Sequence, residues 1–547
     1  MCCLAALVTG SSAKAYSVIG WGEHQVHTDM SRHGIVSVAS GDLHGLALRA
    51  DGTMWAWGGN RHGQASPPDG NDFVAIDAGS LYGLALRADG TIVYWGGRGY
   101  GPVNPPDGNE YSAIAAGGAH ALALTADGTI VGWGEDHFGQ ATPPPGNYYS
   151  AIAAGESHSL ALASDGSVIA WGRDNFGQAQ SPSGNNFVAV AAGEDFSVAL
   201  RADGRIVAWG LNDCGQTAVP EDDGYVAIAA GAGQALAIRA DQTLVAWGCC
   251  GVEQPTLPDG NDFISLDVGL THNVALRSDG TLVTWENVMA HYKWAPIGRH
   301  DFVKVVAGDG YGLALTSGGE VVGWGYNGFG QASPPAVASC IDIAAGAYHG
   351  LALQANGEIL GWGANNYGQA KAPAGNQYVA VAAGGAHSLA LRSDGKVLAW
   401  GRNSLGQAEV PDGNDFVAIS AGFSHSLALR SDGTILGWGR NDFGQASPPN
   451  GRDFVGIAAG GLHSLALKSD GRIIAWGHNN YRQASPPGSD EFTAIAAGYW
   501  HSLGLKADGT VVGWGQNDRG EVEPPTDSRG VGLGAGGRQS IMLVQVD

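Results

Sequence analysis

Nine histidines occupy the same place in a repeated segment of this chain and could, by residue type, belong to hydrolytic triads. Most are followed by Ser, and the Asp of an Asp-Gly pair lies a few residues later. The nine are His44, His120, His158, His272, His349, His387, His425, His463 and His501. An active site needs one such group in one pocket, whereas here the group recurs, and other copies carry Tyr82, Phe196, Gln234, Tyr311 or Gln539. We therefore expect a structural hydrogen-bonding role for these histidines and no catalytic residue.

Other patterns that carry chemistry are missing from the sequence. It contains no phosphate-binding loop, no paired-carboxylate pattern, no His-Glu-x-x-His and no Cys-x-x-Cys. The six cysteines show no metal-ligand spacing, and a disulfide between Cys214 and Cys250 is left open. The sequence thus predicts a protein that is not an enzyme, with no cofactor and no metal.

Tryptophan marks the period of the repeat. Trp57, Trp95, Trp133, Trp171, Trp209, Trp247 and Trp285 lie 38 residues apart, a step of 39 leads to Trp324, and Trp362, Trp400, Trp438, Trp476 and Trp514 resume the period. A fourteenth stands at Trp21. A fixed period of this length predicts an array of supersecondary units that fill nearly the whole chain.

Within one unit the hydrophobic period is two. The runs "FVAIAAG", "HSLALRS" and "KVLAWG" alternate and are bounded by Gly, Pro, Asn or Asp, which is typical of short strands. An Asp-Gly pair such as Asp394-Gly395 favours a two-residue hairpin between the second and third runs. The other connection is rich in Gly, Pro and Asn, so we expect a loop there. Each unit should be an antiparallel sheet of three or four strands that stacks on its neighbours, as in a β-propeller.

The pattern "AAGxxHSLALxxDGxxxAWGxNxxGQ" resembles the repeat of the regulator of chromosome condensation family. Its short period is most similar to the secreted bacterial branch typified by the type II β-lactamase inhibitory protein, and the likeness covers residues 16 to 547. The resemblance implies an all-β propeller fold, commonly with seven blades. β-Lactamase inhibition is one activity in this class, but no contact residue of that inhibitor can be carried over to this chain.

The ends of the chain indicate how the array closes. The chain opens with a lone third strand, Tyr16 to Gly22, and ends with lone first and second strands, Val531 to Val546, so one blade should be shared by the termini. Fourteen blades could form two rings of seven, which the Ala-Ala-Gly wedge favours, or one closed ring of fourteen. The irregular stretch from Glu286 to Asp301 suggests a boundary there, giving halves of 16–286 and 287–547.

The net charge of the chain restricts the kinds of molecule that it could bind. Acidic residues outnumber basic ones 51 to 28, for a net charge of -23. Such a surface repels phosphate backbones, so we expect no nucleic-acid partner and no anionic membrane. No stretch approaches the roughly 20 apolar residues of a membrane span.

The N-terminal segment points to export. Residues 1–15 carry a short apolar run that ends in Ala13-Lys14-Ala15, the small-x-small pattern of a signal-peptidase site, although a basic first region is lacking. We expect a probable signal-peptide remnant and an extracellular or periplasmic location.

The residues that vary between copies of the repeat indicate where a partner could bind. Two residues between Ala-Ala-Gly and the histidine differ in every copy and should lie at a turn on one rim. The candidate partner-binding residues there are Leu43, Leu81, Glu156, Glu194, Asp195, Tyr348, Phe423, Leu462, Tyr499 and Trp500. The last five make an aromatic and apolar rim in the second half, and the acidic residues make an acidic rim in the first half. The alternative is that some of these side chains pack against a neighbouring blade.

The sequence therefore predicts a non-enzymatic recognition scaffold that binds a protein, or a glycan, through its rim turns. The alternative from another class is a polysaccharide lyase or hydrolase that uses the axial channel, for which unique acidic or histidine side chains near the axis would be needed. Seven glutamines in the Gly-Gln pairs should tie the long loop to a neighbouring backbone: Gln64, Gln140, Gln178, Gln331, Gln369, Gln407 and Gln445.

Overall fold

The computed structural model describes residues 15–22, 24–27, 34–97, 104–248, 257–270, 272–286, 292–293, 301–488, 491–525 and 528–546. In these residues the chain forms β-strands joined by turns, with no helix. The chain divides into two compact units: the first unit is Met30–Ala290, and the second unit is Met1–Asp29 with His291–Asp547. The all-β prediction is confirmed, and the repeated sheets are those of a β-propeller.

The strands of the first half are short and regular. They are β1 (Ala15–Gly22), β2 (His24–His27), β3 (Ile35–Ser40), β4 (His44–Arg49), β5 (Met54–Gly59), β6 (Phe73–Ala78), β7 (Tyr82–Arg87), β8 (Ile92–Gly96), β9 (Tyr111–Ala116), β10 (His120–Thr125), β11 (Ile130–Gly134), β12 (Tyr149–Ala154), β13 (His158–Ala163), β14 (Val168–Gly172), β15 (Phe187–Ala192), β16 (Phe196–Arg201), β17 (Ile206–Gly210), β18 (Tyr225–Ala230), β19 (Gln234–Arg239), β20 (Leu244–Gly248), β21 (Phe263–Val268), β22 (His272–Arg277) and β23 (Leu282–Glu286).

The second half repeats the pattern. Its strands are β24 (Tyr292–Lys293), β25 (Phe302–Ala307), β26 (Tyr311–Thr316), β27 (Val321–Tyr326), β28 (Cys340–Ala345), β29 (His349–Gln354), β30 (Ile359–Gly363), β31 (Tyr378–Ala383), β32 (His387–Arg392), β33 (Val397–Gly401), β34 (Phe416–Ala421), β35 (His425–Arg430), β36 (Ile435–Gly439), β37 (Phe454–Ala459), β38 (His463–Lys468), β39 (Ile473–Gly477), β40 (Phe492–Ala497), β41 (His501–Lys506), β42 (Val511–Gly515), β43 (Gly530–Ala535) and β44 (Gln539–Val546).

Three consecutive strands make each sheet, as β31, β32 and β33 illustrate. They pair antiparallel, with β32 in the middle. The predicted Asp-Gly hairpin joins β32 to β33, where Gly395 has a φ of 76° and its N–H donates to the carbonyl of Arg392 at 3.0 Å. Glycine suits that position because a side chain resists positive φ. A fourth strand, β24, pairs antiparallel with β27 in the sheet of β25–β27.

The hydrophobic core lies between neighbouring sheets. In the first unit, Leu46 and Leu48 of β4 pack against Ile76 and Ala85 of the next sheet, and Trp95 closes the same cluster. The residues of each middle strand are buried on both faces, since both faces meet another sheet. The repeated Trp therefore fills the space between blades, as its periodic placement predicts.

In each unit the sheet that comes first also contacts the sheet that comes last. In the first unit β3 packs against β21 and β22, and the N–H of Ser40 donates to Asp267 Oδ2 at 2.6 Å. In the second unit β25 packs against β43 and β44, and Gln539 Nε2 donates to the carbonyl of Tyr311 at 2.6 Å. These contacts join residues more than two hundred positions apart.

The two ends of the chain share one sheet of the second unit. β1 pairs antiparallel with β44 from Ala15↔Val546 to Gly22↔Gln539, and β44 pairs with β43. The prediction that the termini share a blade is confirmed by this pairing. The residue range 16–286 that we predicted for one half therefore differs from the first unit at its start, since β1 lies with residues 291–547.

The cysteines are partly accounted for. Cys214 is disulfide-bonded, with its partner outside the described residues, and Cys340 is a free thiol buried in β28. Of the predicted signal-peptidase pattern, residues 13 and 14 lie outside the described residues, and Ala15 is the first residue of β1. No helix in the described residues is long and apolar enough to cross a membrane.

Candidate binding site

The repeated histidines link neighbouring sheets. His120 Nε2 lies 2.8 Å from Ser159 Oγ in the next sheet, and Ser159 Oγ donates its only proton to the carbonyl of Gln140 at 2.9 Å. The histidine must therefore donate from Nε2, which leaves Nδ1 unprotonated. The same pairing joins His158 to Ser197, His349 to Ser388, His387 to Ser426, His425 to Ser464, His463 to Ser502 and His501 to Ser540.

Burial keeps these imidazoles neutral. It lowers the pKa of each of the nine histidines from 6.5 to about 3 or 4, because an imidazolium would lose its hydration there. In the described pairs the serine hydroxyl is committed to a carbonyl and cannot serve as a nucleophile activated by the histidine. The geometry is that of a structural cross-link.

The glutamine of each Gly-Gln pair acts differently from the prediction. Gln140 Oε1 accepts from the N–H of Phe138 at 2.8 Å, so its side chain holds its own loop. The link to the next sheet is made by the main-chain carbonyl of Gln140, which accepts from Trp171 Nε1 at 3.0 Å as well as from Ser159 Oγ. The predicted link to the neighbouring sheet exists, but the main-chain carbonyl of Gln140 makes it, because the side chain already accepts a hydrogen bond inside its own loop.

Each variable turn has an inner and an outer position. The inner position directly follows Ala-Ala-Gly and lines the cavity on the axis of its unit, whereas the outer position precedes the histidine. Glu156, Glu194, Phe423 and Tyr499 are inner, and the other six predicted residues, Leu43, Leu81, Asp195, Tyr348, Leu462 and Trp500, are outer. Within each unit, the predicted residues therefore lie either at inner positions, which line the cavity, or at outer positions, which precede the histidine.

The predicted exposure of these residues holds only in part. Glu156, Glu194 and Tyr348 are exposed, and Leu43, Leu81, Asp195, Phe423, Tyr499 and Trp500 are half-buried. Leu462 is 8% exposed, so its side chain is not available to a partner; burial removes its isobutyl group from water, which the hydrophobic effect favours. Asp195 is engaged by Gln178 Nε2 at 3.0 Å and by Arg173 at 3.3 Å.

Six rings form a continuous aromatic cluster in the second unit. It consists of Phe423, Phe443, His478, Tyr481, Tyr499 and Trp500. The ring of Trp500 lies 5.1 Å from Tyr499, 5.2 Å from His478 and 5.6 Å from Tyr481, centroid to centroid. Tyr499 continues the cluster to Phe423 at 5.0 Å, and the planes of these neighbouring rings are steeply tilted, the edge-to-face packing that aromatic pairs favour.

Sequence reasoning missed half of this cluster. Phe443 and Tyr481 precede the Gly-Gln position of the long loop and are 45% and 47% exposed, and His478 follows the Trp-Gly pair. The signal that could have found them is the aromatic residue at this loop position in copy after copy, including Phe138, Phe176, Phe329 and Tyr367. A large apolar ring kept at a loop tip is not required by the sheet.

Glycine in one blade makes room for the inner residue of the next. A Cβ on Gly385 would lie 2.8 Å from Phe423 Cδ2, and one on Gly461 would lie 2.9 Å from Tyr499 Cδ1. A Cβ on Gly537 would collide with Asp309 Oδ1 in the same way. These three glycines let the side chains of the following blade fold across the axial mouth of the second unit.

The axial cavity of the first unit is large and acidic. It measures about 380 Å³ and is lined by Asp42, Asp77, Glu156, Glu194 and Asp267, with no Lys, Arg or His among its lining residues. Burial, reinforced by Asp267, raises the pKa of Asp77 to about 7, and burial raises that of Asp267 to about 6. Burial and then Glu156 raise the pKa of Asp42 to about 6. Carboxyl groups near an axis therefore exist: Glu156 and Glu194 belong to the predicted acidic rim, whereas Asp77 and Asp267 of the inner strands were not predicted.

The two units differ in charge. Residues 30–290 contain 10 Lys and Arg against 28 Asp and Glu, a net charge of -18, whereas the rest of the chain contains 18 against 23, a net charge of -5. In the described residues no group of three or more His, Cys, Asp or Glu side chains is arranged to hold a metal ion. The acidic cavity is thus an electrostatic feature of one unit only.

Comparisons with solved structures find several propellers of low identity. Prp20p of Saccharomyces cerevisiae is 21% identical over 45% of this chain and 83% of its own, with a TM-score of 0.40. The ectodomain of the Physcomitrella patens receptor kinase CR4 is 21% identical over 47% and 74%, with a TM-score of 0.41. The ectodomain of the Arabidopsis thaliana receptor kinase ACR4 is 19% identical over 47% and 99%, with a TM-score of 0.40. No curated protein matches the chain.

A family model matches the sequence itself. The Regulator of chromosome condensation (RCC1) repeat matches residues 35–64, 111–140, 149–178, 187–216, 302–331, 340–369, 378–407, 416–445, 454–483 and 492–521. These ten segments coincide with the strand, turn and Gly-Gln loop described above and make up more than half of the residues. The chain therefore belongs to the Regulator of chromosome condensation (RCC1) repeat family.

Proposed function

We propose that this protein is a non-enzymatic recognition scaffold that binds a protein partner through the aromatic cluster of the second unit. The observation that carries the proposal is the cluster itself: six contacting rings, of which Phe443 and Tyr481 are 45% and 47% exposed. Tyr and Trp side chains in contiguous patches are enriched where binding energy concentrates. Trp500 lies at the centre of the cluster and touches three of its members.

The rings are held in place before any partner arrives. The N–H of Tyr481 donates to Gln483 Oε1 at 2.9 Å, and the N–H of Ala484 donates to Asn479 Oδ1 at 2.9 Å, so the loop is closed on itself. A loop that is already ordered has little conformational entropy to lose on binding. This favours recognition by a rigid surface.

The scaffold is proposed to contain fourteen blades arranged as two rings of seven. Support comes from the contacts of β3 with β21 and β22 and of β25 with β43 and β44, which bring the first and last sheets of each unit together. The division into two compact units supports the same arrangement over a single ring of fourteen. The predicted boundary near residue 286 and export to an extracellular or periplasmic location remain parts of this proposal.

The chemistry of the partner follows from charge and ring geometry. A net charge of -23 disfavours nucleic acid and anionic membranes. Phe443 and His478 meet at an interplanar angle of 84°, and Tyr481 and Trp500 meet at 64°, so neighbouring rings share no flat platform on which a glycan chain could stack. The surface fits the irregular apolar side chains of a protein.

The test compares matched aromatic variants on a panel of purified extracellular proteins and a glycan array. Saturable binding to a protein should be lost in the Tyr481→Ala, Trp500→Ala double variant. Tyr367→Ala removes a ring that is 55% exposed at the same loop position but outside the cluster, and should bind normally. Binding that survives in the double variant, or binding to glycans alone, would contradict the proposal.

The acidic cavity supports a second candidate, a polysaccharide hydrolase or lyase. Carboxyl groups with raised pKa values facing one cavity are typical of acid and base catalysis. Ser80 Oγ donates to Glu156 Oε2 at 3.3 Å, which links two blades across this cavity. Turnover of a polysaccharide that is abolished in Glu156→Gln and unaffected in the Tyr481→Ala, Trp500→Ala variant would favour the enzyme over the scaffold.

A further inference from the structure

The axial mouth of the second unit places two aromatic rings and one carboxylate on the same cavity, and a third aromatic residue binds that carboxylate. Tyr348 OH donates to Asp309 Oδ2 at 3.0 Å, and the ring of Tyr499 lies 5.0 Å from that of Phe423. Asp309, Phe423 and Tyr499 line the same axial cavity of about 90 Å³. We call these four residues, Asp309, Tyr348, Phe423 and Tyr499, the axial cage.

The negative charge of Asp309 acts on two tyrosines of the cage. The pKa of Tyr499 is raised by burial and then by the negative charge of Asp309, while the positive charge of Arg440 opposes the shift. Burial, followed by Asp309, raises the pKa of Tyr348 to about 12, and Tyr499 contributes to the same shift. A carboxylate at the mouth therefore lies close to two phenol rings from other blades.

The carboxylate of the cage lacks a cationic partner among the described residues. Neither the ion pairs that the structure describes nor the lining of this cavity place a Lys, Arg or His side chain on Asp309. Its one described side-chain partner is the neutral hydroxyl of Tyr348. A half-buried negative charge beside aromatic faces is an attractive place for a cation.

Glycines shape this cage, and the described cavity of the first unit has a different chemistry. Asp309, Phe423 and Tyr499 each lie over the glycine of the preceding blade, Gly537, Gly385 and Gly461. The corresponding inner residues that line the first unit's cavity are Asp42, Ser80, Gly118, Glu156, Glu194, Ala232 and Leu270, without an aromatic ring. The same scaffold thus builds an acidic mouth in one unit and an aromatic one with a single carboxylate in the other.

We propose that the axial cage binds an alkylated ammonium group. Aromatic faces attract a poorly hydrated organic cation through their negative π-clouds, and one carboxylate supplies the counter-charge. A metal ion is a poor fit, since Mg²⁺ or Ca²⁺ requires six or more oxygen ligands and the cage offers one carboxylate and phenol groups. A cavity of about 90 Å³ has space for several water molecules or for one compact head group.

Two sources could supply this chemistry: a free quaternary amine, or a trimethylated lysine side chain of another protein. Both present the same head group to the cage. The cage shares Phe423 and Tyr499 with the aromatic cluster of the proposed interface, but it is tested separately, because binding of a small amine is measured without any partner. Failure of the interface test would leave the cage intact as a proposal, and the converse also holds.

Calorimetric titration of the full chain tests the cage with choline and with its uncharged carbon isostere, 3,3-dimethylbutan-1-ol. Choline should bind saturably and at least about tenfold more tightly than the alcohol, since only the cation gains from the rings and from Asp309. Asp309→Asn should weaken choline binding several-fold, and the Phe423→Leu, Tyr499→Leu variant should abolish it. Equal binding of the alcohol, or full binding by the double variant, would overturn the proposal.

Matched variants distinguish a loss of choline binding caused by a damaged cage from one caused by loss of folding. Tyr367→Leu removes an exposed ring outside the cage and should bind choline normally, while Phe423→Tyr keeps an aromatic face and should retain binding. Gly461→Ala should weaken binding by displacing Tyr499, with thermal unfolding measured alongside each variant. A trimethyl-lysine peptide that binds more tightly than choline identifies a protein source, and a peptide that is excluded identifies a free amine; no binding by either ligand refutes the site.

Discussion

At the scale of the residue, the protein is held together by hydrogen bonds that each repeat contributes to the next. Ser426 shows how much depends on one hydroxyl: it accepts from His387 Nε2 at 2.9 Å and donates to the carbonyl of Gln407 at 3.0 Å, with no exposure to water. A buried donor left without an acceptor has lost its hydration without compensation.

Ser426→Ala should therefore lower the free energy of unfolding by about 1 to 3 kcal/mol. The change leaves the Nε2–H of His387 without its acceptor inside the protein. Chemical denaturation followed by tryptophan fluorescence measures the loss, and Ser404→Ala, at an exposed loop serine, should cost much less. A loss of equal size in both variants would show that the buried pair contributes little.

The structural roles of the repeated residues could be predicted from the sequence, whereas those of residues that occur once could not. The histidines are structural because they recur, and recurrence is visible in the sequence. The burial of Leu462 is not visible, because it depends on the space left by its neighbours in the fold. The pairing of Gly385 with Phe423 and of Gly461 with Tyr499 leaves a signal, glycine one period before a large residue, but only the folded chain explains it.

At the scale of the element, the long loop is the part of the repeat that exposes an aromatic side chain in several copies. Gln483 is fully buried, accepts from the N–H of Tyr481 at 2.9 Å and uses Nε2 to donate to His478 Nδ1 at 2.8 Å. One side chain thus fixes two members of the aromatic cluster. The loop is ordered by its own polar groups, while its apolar rings stay outside.

Gln483→Ala should loosen this loop without unfolding the unit. We expect the amide of Tyr481 to exchange its hydrogen at least about tenfold faster, and the free energy of unfolding to fall by about 1 to 2 kcal/mol. Hydrogen exchange resolved by residue measures the first effect. Gln377→Ala changes an exposed glutamine and serves as the control; unchanged exchange at Tyr481 would mean that the loop is held by other contacts.

The strands were predictable from the alternation of apolar and polar residues, and the hairpins were predictable from the Asp-Gly pairs. The β-bulge of the inner strands was not predictable. In most inner strands the register shifts after the first residue, as between Phe187 and Ala189, and the extra residue Val188 is 53% exposed. The run "FVAV" reads as plain alternation, so a β-bulge leaves no mark in the hydrophobic pattern. The bulge follows from the curvature that a sheet needs near an axis.

At the scale of the whole molecule, the two units should respond differently to acid. The second unit buries five neutral histidines, His349, His387, His425, His463 and His501, whose pKa values are lowered to about 3 or 4. Their stabilising effect is complete above pH 6.5 and is lost as the pH falls towards those values, at about 1.4 kcal/mol per pH unit for each.

The first unit has four such histidines and an opposing set of carboxyl groups. The raised pKa values of Asp42, Asp77 and Asp267, about 6 to 7, mean that their destabilising effect grows as the pH rises above 3.8 and is relieved on acidification. Among the described residues of the second unit, Glu521 is the one carboxyl group whose pKa is raised by burial. Acid should therefore weaken the second unit more.

Calorimetric unfolding between pH 7 and 4.5 should show one transition that moves to lower temperature faster than the other. Hydrogen exchange measured by mass spectrometry assigns that transition to residues 301–546. His387→Gln should make the shift smaller, because Gln already fills the same position at Gln234 and Gln539. Earlier acid unfolding of residues 34–286 would contradict this expectation.

The period of the repeat was readable from the sequence, but the contacts that join the first sheet to the last were not. The tryptophan period counts the repeats, yet a wedge of Ala and Gly cannot by itself say which two sheets meet. The uneven charge, -18 in one unit and -5 in the other, could have been read from the sequence once the division was known.

The pairing of β1 with β44 has a consequence for how the chain is made. On the ribosome, the sheets from Ile35 to Glu286 can all come together while translation is still under way. The strand from Ala15 to Gly22 emerges before them and can pair with β2 at once, but its other edge must wait for Gln539 to Val546, over five hundred codons later. A nascent chain truncated before Gln539 would keep an open edge in only one of its two halves.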